Sequence, residues 1–154
     1  MKYLIDTSSI FDLRDYYPPD IFPSIWELIF DMFDDGTMFS VQEVFNELKD
    51  FQEPWEKYND SFIELPESKF ENLEYIMSDE KFEVFQRQGL KKSNEENWAD
   101  PYLIACAMGD EDISILTEES VENKALSKIP YVCSEVGVNC VNLLAFMKER
   151  GLRF

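Results

Sequence analysis

The chain opens with a short apolar run that stops at an acidic side chain. Apolar residues 3–5 precede Asp6, and the hydroxyl residues Thr7, Ser8 and Ser9 follow it. An apolar run of this length suits a strand that is buried on both faces of a parallel sheet. The hydroxyl residues favour a helix start, because their side chains can accept hydrogen bonds from its first N–H groups. The stretch therefore predicts a strand, an acid at its carboxyl end and a helix directly behind it.

Asp6 is expected where ligands bind in open α/β sheets, beyond the carboxyl ends of the strands. An acid between a strand end and a helix start suits a site for a hard metal ion or a phosphate group. A simpler interpretation is that Asp6 only ends the strand and caps the helix. The chain has 32 acidic residues among 154, so an acid near any one strand end is weak evidence when taken alone.

The composition limits both the architecture and the chemistry. A chain of 154 residues that is 45% hydrophobic predicts a single folded domain over residues 1–154. The absence of histidine excludes the Ser-His and Cys-His hydrolase schemes. The three cysteines lack CxxC spacing, which predicts reduced thiols in a cytoplasmic protein. No apolar run approaches the roughly 20 residues of a membrane-spanning helix, so no membrane contact is expected.

Strand and helix patterns alternate along the chain. After the first strand, strand patterns recur at residues 37–40, 113–116 and 138–141. Between them lie helical patterns at 10–17, 23–35, 41–48, 100–109, 130–136 and 143–150. This alternation predicts an α/β class fold, a three-layer α/β/α arrangement around a mainly parallel sheet of four to five strands.

Residues 51–97 are aromatic, charged and mostly helical in pattern. Apolar side chains form two stripes at helical spacing, Phe70, Leu73, Ile76 and Met77 in the first and Phe82, Val84 and Phe85 in the second. Such stripes are usually the buried face of a helix, so we expect these residues in the core and assign them no cofactor role.

Other acids also follow strand patterns. Glu43 and Glu47 lie one helical turn apart after the second strand, where a solvated helix face is the usual explanation. Glu43 is preferred for a site because it follows the strand more closely. Asp100 precedes a proline at a helix start, where capping would account for it, although an acid there can also hold a cation. Glu118 and Glu119 follow the third clear strand pattern.

Carboxylates that meet at one sheet edge, without histidine or cysteine, would form an oxygen-only site. Such a site suits Mg²⁺ or Mn²⁺ rather than zinc or copper. A divalent ion held there can activate water and stabilise the oxyanions of a phosphodiester transition state. Because clustered carboxylates repel one another, the site without its ion is expected to be electrostatically strained.

Taken together, these motifs resemble the PIN-domain family. The resemblance covers nearly the whole chain and rests on residues 3–10, 43–48, 99–105 and 115–119, which occur in the family's order. Residues 16–23 and 128–133 further resemble a less-studied PIN-like branch found in prokaryotes. The family implies a metal-dependent ribonuclease that is often the toxin of a VapC-type toxin–antitoxin pair. It also implies an RNA substrate, a small antitoxin that covers the site, and a homodimer.

The resemblance also implies roles for individual side chains. Asp6, Glu43 and Asp100 would be catalytic residues that bind the metal ion. The family's fourth acid follows a threonine by one or two positions, so Glu119 is preferred for the same role and Glu118 competes with it.

Three hydroxyl residues, Thr7, Ser8 and Thr117, would support this site through hydrogen bonds, as the resemblance further implies. The sequence departs from the family pattern at Ser8, where asparagine is common, and at the fourth acid, which is Glu rather than Asp.

The charge balance keeps two other interpretations open. With 14 basic and 32 acidic residues the net charge is −18, which repels nucleic acid over most of the surface. That charge suits a PIN-like binding module without catalysis better than it suits RNA capture. A receiver-type phosphoacceptor domain is the less favoured alternative, because it would need paired acids at the first strand end.

One of the few basic groups lies in residues 87–92. Residues 88–94 are predicted as a helix end and a loop; they contain Lys91 and Lys92, and Arg87 directly precedes them. A solvated loop accounts for these side chains. They are also the best candidates in the sequence for weak contacts with an RNA backbone.

Overall fold

Five apolar segments pair as the strands of one sheet in the part of the chain that the structure describes. The computed structural model describes residues 1–92, 98–119 and 126–154, and of residues 90–92 it describes the backbone. All pairings are parallel. The strands are β1 (Lys2–Ile5), β2 (Met38–Val41), β3 (Phe62–Ile63), β4 (Ile113–Leu116) and β5 (Asn139–Val141). The predicted α/β class is confirmed, and β3 is a strand that the sequence did not predict.

Helices connect the strands and cover the sheet. They are α1 (Thr7–Tyr16), α2 (Pro23–Asp35), α3 (Gln42–Leu48), α4 (Phe70–Ser78), α5 (Glu83–Lys92), α6 (Asp100–Ala107), α7 (Ile129–Val136) and α8 (Leu143–Glu149). Short 3-10 turns occupy Lys49–Phe51, Glu53–Ser61, Glu67–Lys69 and Glu80–Phe82. In the described ranges no helix is both long enough and apolar enough to cross a bilayer.

Two predicted boundaries are wrong for identifiable reasons. Helix α1 begins at Thr7 and its N-cap position is Asp6, so none of the three hydroxyl residues caps it. Their hydroxyl groups bond to other segments instead. Residues 88–92 continue α5 rather than forming a loop, because Gly89 lies against the ring of Trp98 and is packed there. Ser93 and Asn94, the rest of that predicted loop, lie outside the described residues.

The core lies on both sides of the central strand β1, whose Leu4 and Ile5 are fully buried. The predicted core stripes of α4 and α5 are partly wrong. Ile76, Phe82 and Phe85 are buried, whereas Phe70, Met77 and Val84 are exposed. Helix α4 packs against α6 and α5, and its apolar side chains outside these contacts meet solvent.

The cysteines agree with the prediction of reduced thiols. Cys106 and Cys133 are buried, Cys140 is partly exposed, and all three are free.

The strand order places a ligand-binding edge between β1 and β4. The order is β3-β2-β1-β4-β5, so the chain moves outward from β1 in one direction and later continues on the other side. In open α/β sheets, ligands bind beyond the carboxyl ends of the strands at this switch point. Asp6 follows β1 there, and Thr117 follows β4. The order differs from the 2-1-3-4-5 order of receiver domains, so the receiver-type interpretation is wrong.

Candidate functional site

Asp6 is held by two hydroxyl groups at the switch point. Its side chain is buried, with 3% exposed, and its backbone N–H continues the sheet by donating to the Leu116 carbonyl at 2.9 Å. The Oδ2 atom accepts hydrogen bonds from Ser8 Oγ and Thr117 Oγ1, both at 2.8 Å. Hydrogen bonds to a carboxylate are stronger than those between neutral groups. The β1 acid is therefore fixed in orientation and stabilised as a carboxylate.

The two hydroxyl groups are themselves oriented by the loop after β4. Ser8 Oγ accepts from the Glu118 N–H at 3.1 Å, and Thr117 Oγ1 accepts from the Glu119 N–H at 3.2 Å. A hydroxyl that accepts a backbone N–H still has its own proton to donate, and here that proton is directed at Asp6. The contacts expected of Ser8 and Thr117 are thus present, and they tie the start of α1 to the loop beyond β4.

Glu47 joins the segments that carry Asp6 and Asp100. Its Oε1 atom accepts from the Thr7 hydroxyl at 2.5 Å, and its Oε2 atom accepts from the Ala99 N–H at 3.3 Å. Thr7 is the residue after Asp6, and Ala99 is the residue before Asp100. Because one carboxylate spans both contacts, the backbones beside the first and third predicted acids lie close together.

Glu43 is a buried acid on the first turn of α3. Its side chain is 7% exposed, and this burial is the main reason why its pKa is raised above the ordinary value of a glutamate. The nearby carboxylates of Glu64 and Glu47 raise the pKa further. Ionised Glu43 is therefore disfavoured both by loss of water and by like charge, which a bound cation would relieve.

Asp100 is buried on the first turn of α6, with 7% exposed. The N-cap residue of that helix is Ala99, so the interpretation of Asp100 as its N-cap is wrong. An acid in the first turn is nevertheless stabilised by the positive end of the helix. The charges of Asp100 and Glu119 both contribute to raising the pKa of the Cys133 thiol, after its contact with Cys140 and its burial. Both acids therefore lie within electrostatic range of Cys133.

The two acids after β4 each hold the first residue of a later helix. Glu118 Oε1 accepts from the Leu143 N–H at 2.5 Å, at the start of α8. Glu119 Oε2 accepts from the Ile129 N–H at 2.7 Å, at the start of α7. Each carboxylate thus satisfies an N–H group that has no partner within its helix. Both acids therefore stabilise the start of a helix. These contacts do not decide whether Glu118 or Glu119 is the fourth acid of the predicted site.

Glu118 also responds to the charge of Asp6. Burial raises the pKa of Glu118, the Leu143 N–H offsets part of that rise, and the charges of Asp12 and Asp6 add to it. Glu118 is therefore electrostatically linked to the β1 acid.

The acids fit a hard divalent ion by their chemistry. Asp6, Glu43 and Asp100 are buried and offer only oxygen donors. Burial is the main cause of the raised pKa of Glu43, and a cation would offset this penalty on its ionised form. Within residues 1–92, 98–119 and 126–154, no three Cys, Asp or Glu side chains are placed closely enough to hold an ion together. The carboxylates of Asp6, Glu47, Glu118 and Glu119 instead take part in separate contacts with hydroxyl and N–H groups.

The predicted RNA contacts are only partly described. Arg87 lies exposed on α5 and donates to Glu83 Oε1 at 2.6 Å, so its charge is paired within its own helix. The side chains of Lys91 and Lys92 lie outside the described part of the chain.

Glu47 makes two long-range contacts that its position in the sequence did not predict. Its position one turn after Glu43 indicated a shared helix face, but proximity to the strand favoured Glu43. The spacing alone could not reveal that Thr7 and Ala99 approach Glu47 from 40 and 52 positions away.

Comparison with known proteins adds a family and no function. A family model described as "Domain of unknown function (DUF4411)" matches residues 3–154. No curated protein and no solved structure matches the chain.

Proposed function

We propose a function from the geometry of the candidate site. This chain belongs to the family described as "Domain of unknown function (DUF4411)", and that description names no activity. The proposal is a metal-dependent endoribonuclease that hydrolyses RNA phosphodiester bonds and acts as the toxin of a toxin–antitoxin pair. One observation supports it most. The Glu47 carboxylate links the residue after Asp6 to the residue before Asp100. Three acid-bearing segments, the starts of α1 and α6 and the helix α3, are thereby tied together beside the switch point of a parallel sheet, where ligands bind.

In this proposal Asp6, Glu43 and Asp100 hold Mg²⁺ or Mn²⁺, and Glu119 or Glu118 completes the acidic set. The bound ion supplies Lewis-acid chemistry and neutralises charge on the phosphodiester. The protein's part is to position and orient. Ser8 and Thr117 fix the Asp6 carboxylate through its Oδ2 atom. Glu47, on α3, holds the starts of α1 and α6 close together through its contacts with Thr7 and Ala99.

Ion binding is expected to stabilise the fold, because it offsets the repulsion between buried carboxylates. A ligand that binds only the native state stabilises it by RT ln(1 + [L]/Kd), about 2.7 kcal/mol at a concentration of about 100 Kd. For a chain of this size that energy corresponds to a rise in Tm of roughly 5–11 °C. A thermal melt with millimolar Mn²⁺ and one with EDTA measure this rise, and equal melting temperatures would count against the site.

RNA cleavage tests the activity directly. Purified protein is incubated with single-stranded RNA and Mn²⁺, beside the Asp6→Asn and Asp100→Asn variants. The matched control is Asp31→Asn, since Asp31 is an exposed acid of α2 that makes none of the site contacts described above. We expect the control to cleave like the unaltered protein and both site variants to lose at least about 100-fold in rate. Full cleavage by a folded Asp6→Asn variant would refute the proposed site.

The toxin role and the oligomeric state need tests of their own. Expression of an active toxin is expected to arrest growth, and co-expression of a small neighbouring reading frame is expected to relieve the arrest. An arrest that persists in the Asp6→Asn variant would contradict an enzymatic cause. The homodimer implied by the family resemblance stays a prediction, and its mass in solution by light scattering checks it.

A binding module without catalysis is the second candidate. It is favoured by the contacts of Glu118 and Glu119 with helix N–H groups, because those bonds already satisfy part of both carboxylates. Metal-dependent cleavage that is lost with Asp6→Asn would exclude this candidate. A stable fold without any cleavage or metal-induced stabilisation would favour it.

A further inference from the structure

A second surface feature, an apolar pocket, lies at the end of α1 opposite Asp6. It has a volume of about 220 Å³ and is lined by Arg14, Pro19, Trp26, Phe30, Phe51 and Pro54. The side chains of Phe30 and Phe51 are partly exposed. Nothing in the acidic site uses these residues.

One face of α1 leads from the acidic site to this pocket. Thr7, Phe11 and Arg14 follow at spacings of four and three residues, which places them on the same side of the helix. Thr7 contacts Glu47 in the site, and Arg14 lines the pocket. The helix rise between them is about 10 Å, within reach of a neighbouring nucleotide on one strand. The turn Lys49–Phe51 after α3 forms the opposite side and brings Phe51 to the pocket.

Two cations accompany the aromatic rings of this region. The Arg14 guanidinium lies 4.5 Å from the ring centre of Phe11 and 5.4 Å from that of Phe51. Asp15 binds its edge through Nε and Nη2, at 2.7 and 3.1 Å. The Lys57 ammonium lies 4.7 Å from the ring centre of Phe30. Aromatic rings beside a guanidinium and an ammonium group are a combination that binds single-stranded nucleic acid.

The charges favour an anionic strand over a protein segment in this pocket. A partner attracted by a net charge of −18 would itself be basic, and the exposed Lys57 would repel its basic side chains. An RNA strand brings the opposite charge to Lys57 and an apolar ring face to the pocket, whereas the charge of Arg14 is already paired with Asp15. RNA would thus use Lys57 locally, although the rest of the surface is acidic.

We propose that this pocket binds one base of the RNA strand whose neighbouring phosphodiester lies at the acidic edge. The inference rests on the proposed nuclease function and names its base-binding subsite. The base stacks on Phe30 and Phe51 beside the Arg14 guanidinium, and Lys57 attracts a flanking phosphate. Because the walls are apolar, the pocket selects a base by its ring surface rather than by hydrogen bonds to its edge. Purines, with the larger rings, bind more tightly than pyrimidines.

Binding can be measured without cleavage. Fluorescence anisotropy of a labelled short oligoadenylate is recorded in EDTA with the unaltered protein and with Arg14→Ala and Phe51→Ala. Arg150→Ala serves as the matched control, since Arg150 is an exposed arginine at the end of α8. Base stacking on aromatic rings predicts that each pocket variant weakens binding by about 5- to 150-fold, while the control binds within about twofold.

A second measurement keeps the protein unaltered, in case Phe51→Ala fails to fold. Abasic sites are placed at successive positions of the oligonucleotide. At one position the abasic site is expected to weaken binding by about as much as the pocket variants do. Equal affinity at every abasic position, equal affinity of the folded Arg14→Ala variant, or no binding of RNA by the unaltered protein would each overturn the inference. Equal affinities would leave the pocket to an apolar side chain of a partner protein. Binding that depends on the pocket, without any cleavage in Mn²⁺, would instead contradict the nuclease.

Discussion

Thr117→Val is the substitution that tests how Asp6 is held. Thr117 is fully buried, donates to Asp6 Oδ2 at 2.8 Å and accepts from the Glu119 N–H at 3.2 Å. Valine has nearly the same shape and lacks both functions. The variant therefore removes two hydrogen bonds at the site with little change in packing volume.

The expected loss of stability follows from the type of each bond. A hydrogen bond to a charged group contributes about 1.5–3 kcal/mol, and leaving the Glu119 N–H without its acceptor costs about 1 kcal/mol. The added methyl group returns up to about 0.8 kcal/mol through burial. The net loss is about 2–3 kcal/mol, which for a domain of this size lowers Tm by about 4–12 °C.

Ser9→Ala provides a matched comparison. Ser9 is also fully buried, but its hydroxyl donates at 3.0 Å to a neutral acceptor, the Leu116 carbonyl. Its loss is expected to cost about 1 kcal/mol, because neutral hydrogen bonds contribute less. Urea unfolding of both variants at neutral pH measures the difference. Thr117→Val is expected to unfold at the lower midpoint with the same slope m.

A double-mutant cycle with Asp6→Asn shows whether the effect passes through Asp6. If the Thr117 hydroxyl acts mainly on the Asp6 carboxylate, the two substitutions are coupled by at least about 1 kcal/mol. Additivity within about 0.5 kcal/mol, together with equal costs for Thr117→Val and Ser9→Ala, would refute the charge-assisted contact.

Three further predictions concern other parts of the molecule. Glu43→Gln is expected to raise Tm at neutral pH without metal, because the raised pKa of Glu43 means that folding disfavours its ionised form. The gain in Tm should vanish as the pH falls below 4.5, the ordinary pKa of the side chain. A gain in Tm that persists in acid would contradict this cause. Gly89→Ala should destabilise α5 by about 1–3 kcal/mol in urea unfolding, since a Cβ there would lie 2.5 Å from the Trp98 ring, and unchanged stability would refute this packing. In the folded protein a maleimide at pH 8 should modify the partly exposed Cys140 before Cys106, because burial raises the pKa of Cys106 to about 11. Peptide mass spectrometry gives the order of labelling, and faster labelling of Cys106 would contradict the prediction.

The fold was largely predictable because its information is local and periodic. Apolar runs of strand length and amphipathic helix patterns alternate, and that alternation implies a parallel sheet with helices on both faces. Strand β3 was missed because two paired residues, Phe62 and Ile63, are too short to form a pattern. Its place beside β2 follows from the pairing of Val41 with Ile63, a contact between segments that sequence spacing does not define.

The candidate site was predictable in its residue types and less so in its contacts. A short buried strand that ends in an acid places that acid at a sheet edge, which anticipated Asp6. The hydroxyl residue Ser8 was expected to cap α1, but its side chain bonds to Asp6 and to the loop after β4 instead. A hydroxyl group can satisfy several competing partners, and only the approach of distant segments decides among them.

The sequence by itself determined which residues are apolar, where strands and helices alternate, and that carboxylates and hydroxyls follow the strands. The tertiary structure alone decided the strand order and therefore the position of the switch point between β1 and β4. It also decided that Glu47, rather than its neighbour one turn earlier, joins Thr7 to Ala99. The physical reason is the separation along the sequence of the residues that come into contact. Periodicity reflects neighbours along the chain, whereas each of these contacts joins residues that are brought together only when the sheet has formed.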